Sequence, residues 1–185
     1  MNEEIIKRKG NYRDLLCYRK AETIYDLTYF FANKFLKTSD RTIDQMIQAA
    51  RSGKQNIIEG YAASATSIES ELRLLNVAKS SLKELLADYE DYLRTRGLNQ
   101  WCDKSVEFTT VKQLGKEHNN SDYWSQIIQT RSDETIANIA IILIHQVDFL
   151  LYKFMTVISE RFAEEGGFRE KLSRIRTQVK HSSKP

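Results

Sequence analysis

The polar side chains best suited to binding or chemistry lie in residues 44–60, which read DQMIQAARSGKQNIIEG. They are Arg51, Lys54, Gln55, Asn56 and Glu59. The cations Arg51 and Lys54 can contact phosphate groups by charge. We interpret Glu59 as a structural carboxylate paired with Arg51 or Lys54 across an interface, and a catalytic carboxylate is the alternative.

The spacing of apolar and small residues indicates that this segment is a helix packed against other helices. Its packing face steps by three and four residues through Met46, Ala50, Gly53, Ile57 and Gly60. Gly53 lowers helix propensity by about 1 kcal/mol relative to Ala, so a close approach by a neighbouring element is the expected compensation.

A resemblance to a known family rests on this helix and the next one. The residues that carry it are Gln48 to Gly60, with the run Asn56-Ile57-x-Glu59-Gly60, and then Leu75, Ala78, Ser81 and Glu84. This pattern resembles the four-helix-bundle family of rRNA intervening-sequence proteins, whose fold the accessory variability proteins of diversity-generating retroelements share. The resemblance covers about residues 15–95 and the helix at 134–160.

The resemblance implies an oligomer that binds RNA. Relatives form a ring-like homopentamer with a basic outer face, and the accessory proteins bind a reverse transcriptase and its structured template RNA. Of the functional positions in helix 2, only Arg51, Asn56 and Glu59 match the family pattern. The connection between helices 3 and 4 is longer here than the family expects.

Hydrophobic periodicity predicts an all-α fold, an antiparallel four-helix bundle in one domain at 14–165. The helices are expected near 14–37, 40–62, 67–96 and 133–165, since the single proline stands at position 185 and breaks none of them. We expect a flexible arm at 1–13, an irregular insertion at 98–131 and a short basic amphipathic helix within 166–185. Thr66 or Ser67 is the expected N-cap of helix 3.

The first helix carries more aromatic surface than the core of one bundle requires, which predicts a subunit interface. The residues assigned to that interface are Tyr18, Tyr25 and Phe30, together with Asn56 and Glu59 of helix 2.

The C-terminal segment concentrates positive charge. From residue 168 to 185 there are six basic residues and one acid, whereas the whole chain has a net charge of +3. The cations expected to contact phosphate are Arg169, Lys171, Arg174, Arg176 and Lys180, and a solubilising tail is the alternative.

Nothing in the sequence predicts catalysis, a metal site or a cofactor. The three histidines are dispersed, no Glu-x-x-His pair supports a di-iron site, and no phosphate-binding glycine loop occurs. Cys17 and Cys102 are too few for a disulfide framework, and Cys17 is expected as a buried free thiol. With no signal peptide and no run of 18 apolar residues, we expect a cytoplasmic protein with no membrane contact.

The function expected from these features is a non-enzymatic scaffold that binds nucleic acid, with structured RNA as the expected ligand, as a homo-oligomer. The alternative is a protein–protein oligomerisation module with no nucleic-acid contact.

Overall fold

The computed structural model describes residues 10–37 and 40–165, together with positions 173, 176 and 177. The regular structure in these ranges is helical throughout, which confirms the all-α class. A 3-10 turn at Tyr12–Asp14 precedes six helices. The helices are α1 (Leu16–Phe35), α2 (Thr42–Ala63), α3 (Ile68–Thr95), α4 (Val106–Glu117), α5 (Ser121–Ile128) and α6 (Asp133–Glu165).

Side-chain and backbone caps set the ends of the long helices. Ser67, one of the two expected caps, begins α3 by accepting a 3.1 Å hydrogen bond from the backbone N–H of Ser70. At the other end, Gly97 adopts φ +66°, and the N–H of Leu98 donates to the carbonyl of Leu93 at 2.9 Å. This is the Schellman arrangement that the glycine makes accessible.

The four long helices pack around one core. Contacts join α1 with α2, α2 with α3, α3 with α6, and α6 with α1. On α2 the buried residues include all five of its expected packing face: Met46, Ala50, Gly53, Ile57 and Gly60. At Gly53 the side chain of α3 residue Leu82 approaches α2 closely, because a Cβ built there would lie 2.8 Å from Cγ of the buried Leu82.

The segment expected to be an irregular insertion is largely helical, which corrects that prediction. It forms α4, which packs on α6, and α5, which packs on α1. Ser105 begins α4 by accepting from the N–H of Phe108 at 3.1 Å, and α4 continues past Gly115 to Glu117. Buried Trp124 anchors α5, and its indole N–H donates to the carbonyl of His118 at 3.0 Å. The spacing of Phe108, Val111 and Leu114 by three residues indicates only one short helix, so the segment as a whole was expected to be irregular.

Helix α6 has two different halves. Every residue from 136 to 144 is buried, because α1 and α3 cover one side and α4 and the segment before it cover the other. Spacing by three and four residues predicts that Val147, Leu150, Phe154 and Val157 pack inward. Beyond Val147 the buried positions are instead Leu151 and Ile158, and Val157 is 62% exposed. The packing face therefore shifts by one residue in the second half.

Helix α6 also bears on the expectation of no membrane contact. Over Asp133–Glu164 it is long and apolar enough to qualify as a membrane span by length and composition, a test that the core helix of a soluble protein also passes. The absence of membrane contact stays a prediction.

Candidate functional site

The two cations predicted on α2 differ in exposure. Arg51 is exposed, and Lys54 is half-buried with its Nζ 4.2 Å from the centre of the Tyr25 ring. That distance allows a cation–π contact, which holds Lys54 against α1. Arg51 is therefore the more accessible of the two for a phosphate group.

The aromatic residues predicted at a subunit interface are only partly accessible. Tyr25 and Phe30 are half-buried on α1, and Lys34 lies 4.8 Å from the centre of the Phe30 ring. Tyr18 is 5% exposed, and its hydroxyl donates to the Glu22 carboxylate at 2.7 Å. Tyr18 therefore packs inside its own subunit, which corrects its assignment to an interface. Burial, with a contribution from Glu22, raises the pKa of Tyr18 to about 12.

The residues that carry the family resemblance meet between α2 and α3. The Asn56 amide donates to the carbonyl of Ser52 at 2.9 Å, and the hydroxyl of Ser52 lies 2.9 Å from that of Ser81. Asn56 therefore makes a local contact within α2. Glu59 is exposed, and Gln55 donates to it at 3.4 Å. Its pairing with Arg51 or Lys54 across an interface stays a prediction.

The predicted phosphate-binding tail lies mostly outside the described residues. Arg169, Lys171, Arg174 and Lys180 fall in that part of the chain. Arg176 is described, and it is exposed.

The second half of α6 presents exposed aromatic and basic side chains that the sequence interpretation did not single out. Phe149, Tyr152 and Val157 are 55%, 60% and 62% exposed. The Lys153 ammonium lies 4.9 Å from the centre of the Phe149 ring, and that of Lys79 lies 5.5 Å from the Tyr152 ring. We call Phe149, Tyr152, Lys153 and Val157 the α6 aromatic face.

A cleft of about 690 Å³ lies between the start of α1, the segment before α4, α4 itself and the middle of α6. Its walls include the aromatic side chains of Trp101, Phe108 and Phe149 and the aliphatic side chains of Ile141 and Ile142. Its polar and charged lining comprises Lys20, Gln100, Asp103, Lys112, Lys116, Asn119, Asn138, His145 and Gln146. Three lysines against one aspartate make the lining net positive.

Lys20 is the most unusual residue of the cleft, because it is only 4% exposed. Its ammonium donates to the backbone carbonyl of Gly115 and, at 2.9 Å, to Oε1 of Gln146. Gln146 also donates through Nε2 to the carbonyl of Lys112 at 2.8 Å. Burial lowers the pKa of Lys20 to about 8, since removing the ammonium from water disfavours its charged form.

Gly115 is required for this arrangement. A Cβ built on Gly115 would lie 2.6 Å from Oε1 and 2.9 Å from Nε2 of Gln146, so any side chain there would displace the amide. Gly115 lies within α4, where its lack of a side chain allows α1, α4 and α6 to meet at Lys20.

Other reactive groups in the described part of the chain are separated. No group of three or more His, Cys, Asp or Glu side chains could hold a metal ion there. Cys17 is buried and free, as expected, and burial raises the pKa of its thiol to about 11. His118 stacks on Tyr123 with ring centres 3.6 Å apart, and His145 lines the cleft.

The sequence did contain a signal for Lys20. It follows Cys17 by three residues and precedes Ile24 by four, so it falls on the packing face of α1. A lysine at such a position either extends its ammonium to water or needs buried acceptors. The choice depends on Gly115 and Gln146, which are distant in sequence.

Comparisons of the chain with protein-family models, with curated proteins and with solved structures found no match. The family resemblance thus stays an expectation that depends on the motif quoted above.

Proposed function

We propose that the protein is a non-enzymatic, oligomeric RNA-binding scaffold built on an antiparallel four-helix bundle. The observation that carries the functional proposal is the α6 aromatic face, which combines exposed rings with a lysine on the helix that precedes the basic C-terminal segment. The resemblance adds a reverse transcriptase and its template RNA as expected partners in the cytoplasm.

The antiparallel arrangement is supported by the order of contacts between neighbouring helices. As the residue number rises on one helix, that of the contacting residue on the next helix falls. The pairs are Ser52 with Ser81 and Gly60 with Leu75 for α2 and α3, and Lys79 with Asp148 and Tyr92 with Asp133 for α3 and α6. Up-and-down connection of long helices gives this order.

Exposed aromatic rings beside cations suit single-stranded RNA. Bases stack on aromatic side chains with about 1 to 3 kcal/mol per base, and lysines neutralise the backbone. On the α6 aromatic face, Phe149 and Tyr152 are about one helical turn apart. Lys153 lies one turn after Phe149 and one turn before Val157. The cations of 168–185 follow in sequence and can extend the contact to further phosphates.

The test is fluorescence anisotropy with an RNA hairpin that carries a single-stranded loop. Tyr152→Ala should weaken binding by about 5- to 100-fold, the range that loss of one stacked base implies. Tyr29→Ala is the matched control, because Tyr29 is 55% exposed on α1 and should leave affinity unchanged. Equal effects of the two substitutions would refute a role for the α6 aromatic face.

Charge contributions are separated by salt titration. Lys153→Gln should lower the slope of log affinity against log salt by about one, whereas Lys83→Gln, on the exposed side of α3, should not. Deleting 168–185 should lower the slope by about four to six if its cations each contact a phosphate. An unchanged slope after truncation would assign the tail to solubility.

The second candidate function is a protein–protein oligomerisation module. It is favoured by Val157, an aliphatic residue of the same helix face that is 62% exposed and that a nucleic acid would not need. Light scattering tests the oligomer: a closed homo-oligomer, with a pentamer as the family expectation, should appear at micromolar concentration. Loss of the oligomer in Val157→Asp with no RNA binding by the wild-type protein would favour this second function.

A further inference from the structure

We propose that the cleft around Lys20 is a binding site for a small aromatic carboxylate. The inference does not rest on RNA binding, because its central residue, Lys20, lies at the junction of α1, α4 and α6 and is not part of the α6 aromatic face. Phe149 is the one residue that the cleft and the α6 aromatic face share.

The first argument is the unbalanced charge of Lys20. Its ammonium is bonded to two neutral acceptors, Gly115 and Gln146, and within the described ranges no carboxylate lies within 4.0 Å of it. A buried cation is costly unless an anion compensates it. An ammonium has three donors, and the two bonds present leave one for a ligand.

The second argument is that Lys20 lines an accessible cavity and not a closed core. The cleft volume of about 690 Å³ lies within the range of roughly 300 to 1,000 Å³ found for small-molecule sites. Lys112 and Lys116 are exposed residues at the same cleft, and they add positive charge where an anion would enter. The charge of the lining is therefore complementary to an anionic ligand.

The third argument concerns the body of the ligand. Trp101, Phe108 and Phe149 line the cleft with flat rings, and Ile141 and Ile142 add aliphatic surface. Aromatic side chains pack favourably on flat apolar groups. One buried ammonium among neutral acceptors suits a single carboxylate, with the ring system of the ligand against the aromatic walls.

The experiment compares naphthalene-1-acetate with its neutral isostere naphthalene-1-acetamide by isothermal titration calorimetry of the full chain. We expect the wild-type protein to bind the carboxylate more tightly by about tenfold or more, since a bond between two ionised groups is stronger than one to an amide. Lys20→Met should abolish this preference so that both probes bind alike. Lys83→Met, which changes an exposed lysine outside the cleft lining, should retain it.

A second variant guards against misfolding of Lys20→Met. Lys112→Met with Lys116→Met changes only exposed residues, and it should weaken carboxylate binding by about three- to tenfold while amide binding stays constant. Equal affinity of the two probes for the wild-type protein would overturn the proposal, as would failure of both to bind. RNA binding is scored separately with Tyr152→Ala, whose side chain does not line the cleft, so failure of one proposal is distinguishable from failure of the other.

Discussion

Replacing Gly53 with alanine tests how closely α2 and α3 approach each other. An added methyl group would lie 2.8 Å from both Cγ and Cδ2 of Leu82, closer than real Cβ contacts allow. Leu82 is 1% exposed, so it has little space into which to move. Overpacking of this kind costs about 1 to 3 kcal/mol. Alanine returns about 1 kcal/mol of helix propensity.

The expected net result is a loss of up to about 2 kcal/mol in the free energy of unfolding, measured by urea denaturation followed by circular dichroism. The decisive measurement is the same substitution in a Leu82→Ala background. Leu82→Ala alone should cost about 2 to 5 kcal/mol by leaving a cavity. With the leucine removed, Gly53→Ala should become stabilising by about 1 kcal/mol, because only the propensity gain remains.

The double-mutant cycle should therefore give a coupling energy of about 1 to 3 kcal/mol between the two positions. A Gly53→Ala protein at least as stable as wild type, with no coupling to position 82, would refute the close approach of α2 and α3. It would also remove the structural reason for a glycine within α2.

Three further predictions concern single groups. The pKa of Lys20 is about 8 in the folded protein and 10.5 in its ordinary state. Between these pH values the unfolded chain binds a proton at Lys20 that the folded chain does not, so the free energy of unfolding should rise with pH. The rise across that range, relative to Lys20→Met, should be at most about 3 kcal/mol. Taking the difference between the two proteins cancels the titration of Asp103, Lys112, Lys116 and His145 in the same cleft, and a constant difference in pH-dependent urea unfolding would contradict the prediction. Tyr89→Phe should cost about 0.5 to 1.5 kcal/mol in urea unfolding because its buried hydroxyl donates to Thr28 at 3.0 Å, whereas Tyr29→Phe on the surface should cost nothing. Gly97→Ala should lower the free energy of unfolding by about 1 kcal/mol, because φ at this position is +66°. A Cβ there has open space around it, so backbone strain is the only cost. An unchanged melting temperature would contradict this prediction.

The sequence was sufficient for features that depend on local pattern. The all-α class, the positions of the four long helices and the cap at Ser67 all follow from periodicity and from the conformational preferences of single residues. The close packing at Gly53 was expected too, because a helix tolerates a central glycine only with compensation.

Tertiary structure decided which surfaces remain available. Tyr18 looked like surplus aromatic surface on α1, but it is buried within its own subunit. Asn56, which was assigned to an interface, donates to the carbonyl of Ser52 one turn earlier on the same helix. These outcomes depend on contacts between residues distant in sequence or on the direction of one side chain, and a periodic pattern encodes neither.

Periodicity by itself thus determined the helices and their apolar faces, because each residue's place on a helix depends only on its near neighbours. It could not place Lys20 in a cleft, since that needs α4 to cover α6, Gly115 to leave room and Gln146 to supply an acceptor. These residues are separated by 95 and 126 positions from Lys20. Only the folded chain brings them together, and the energy of the buried ammonium depends on that meeting.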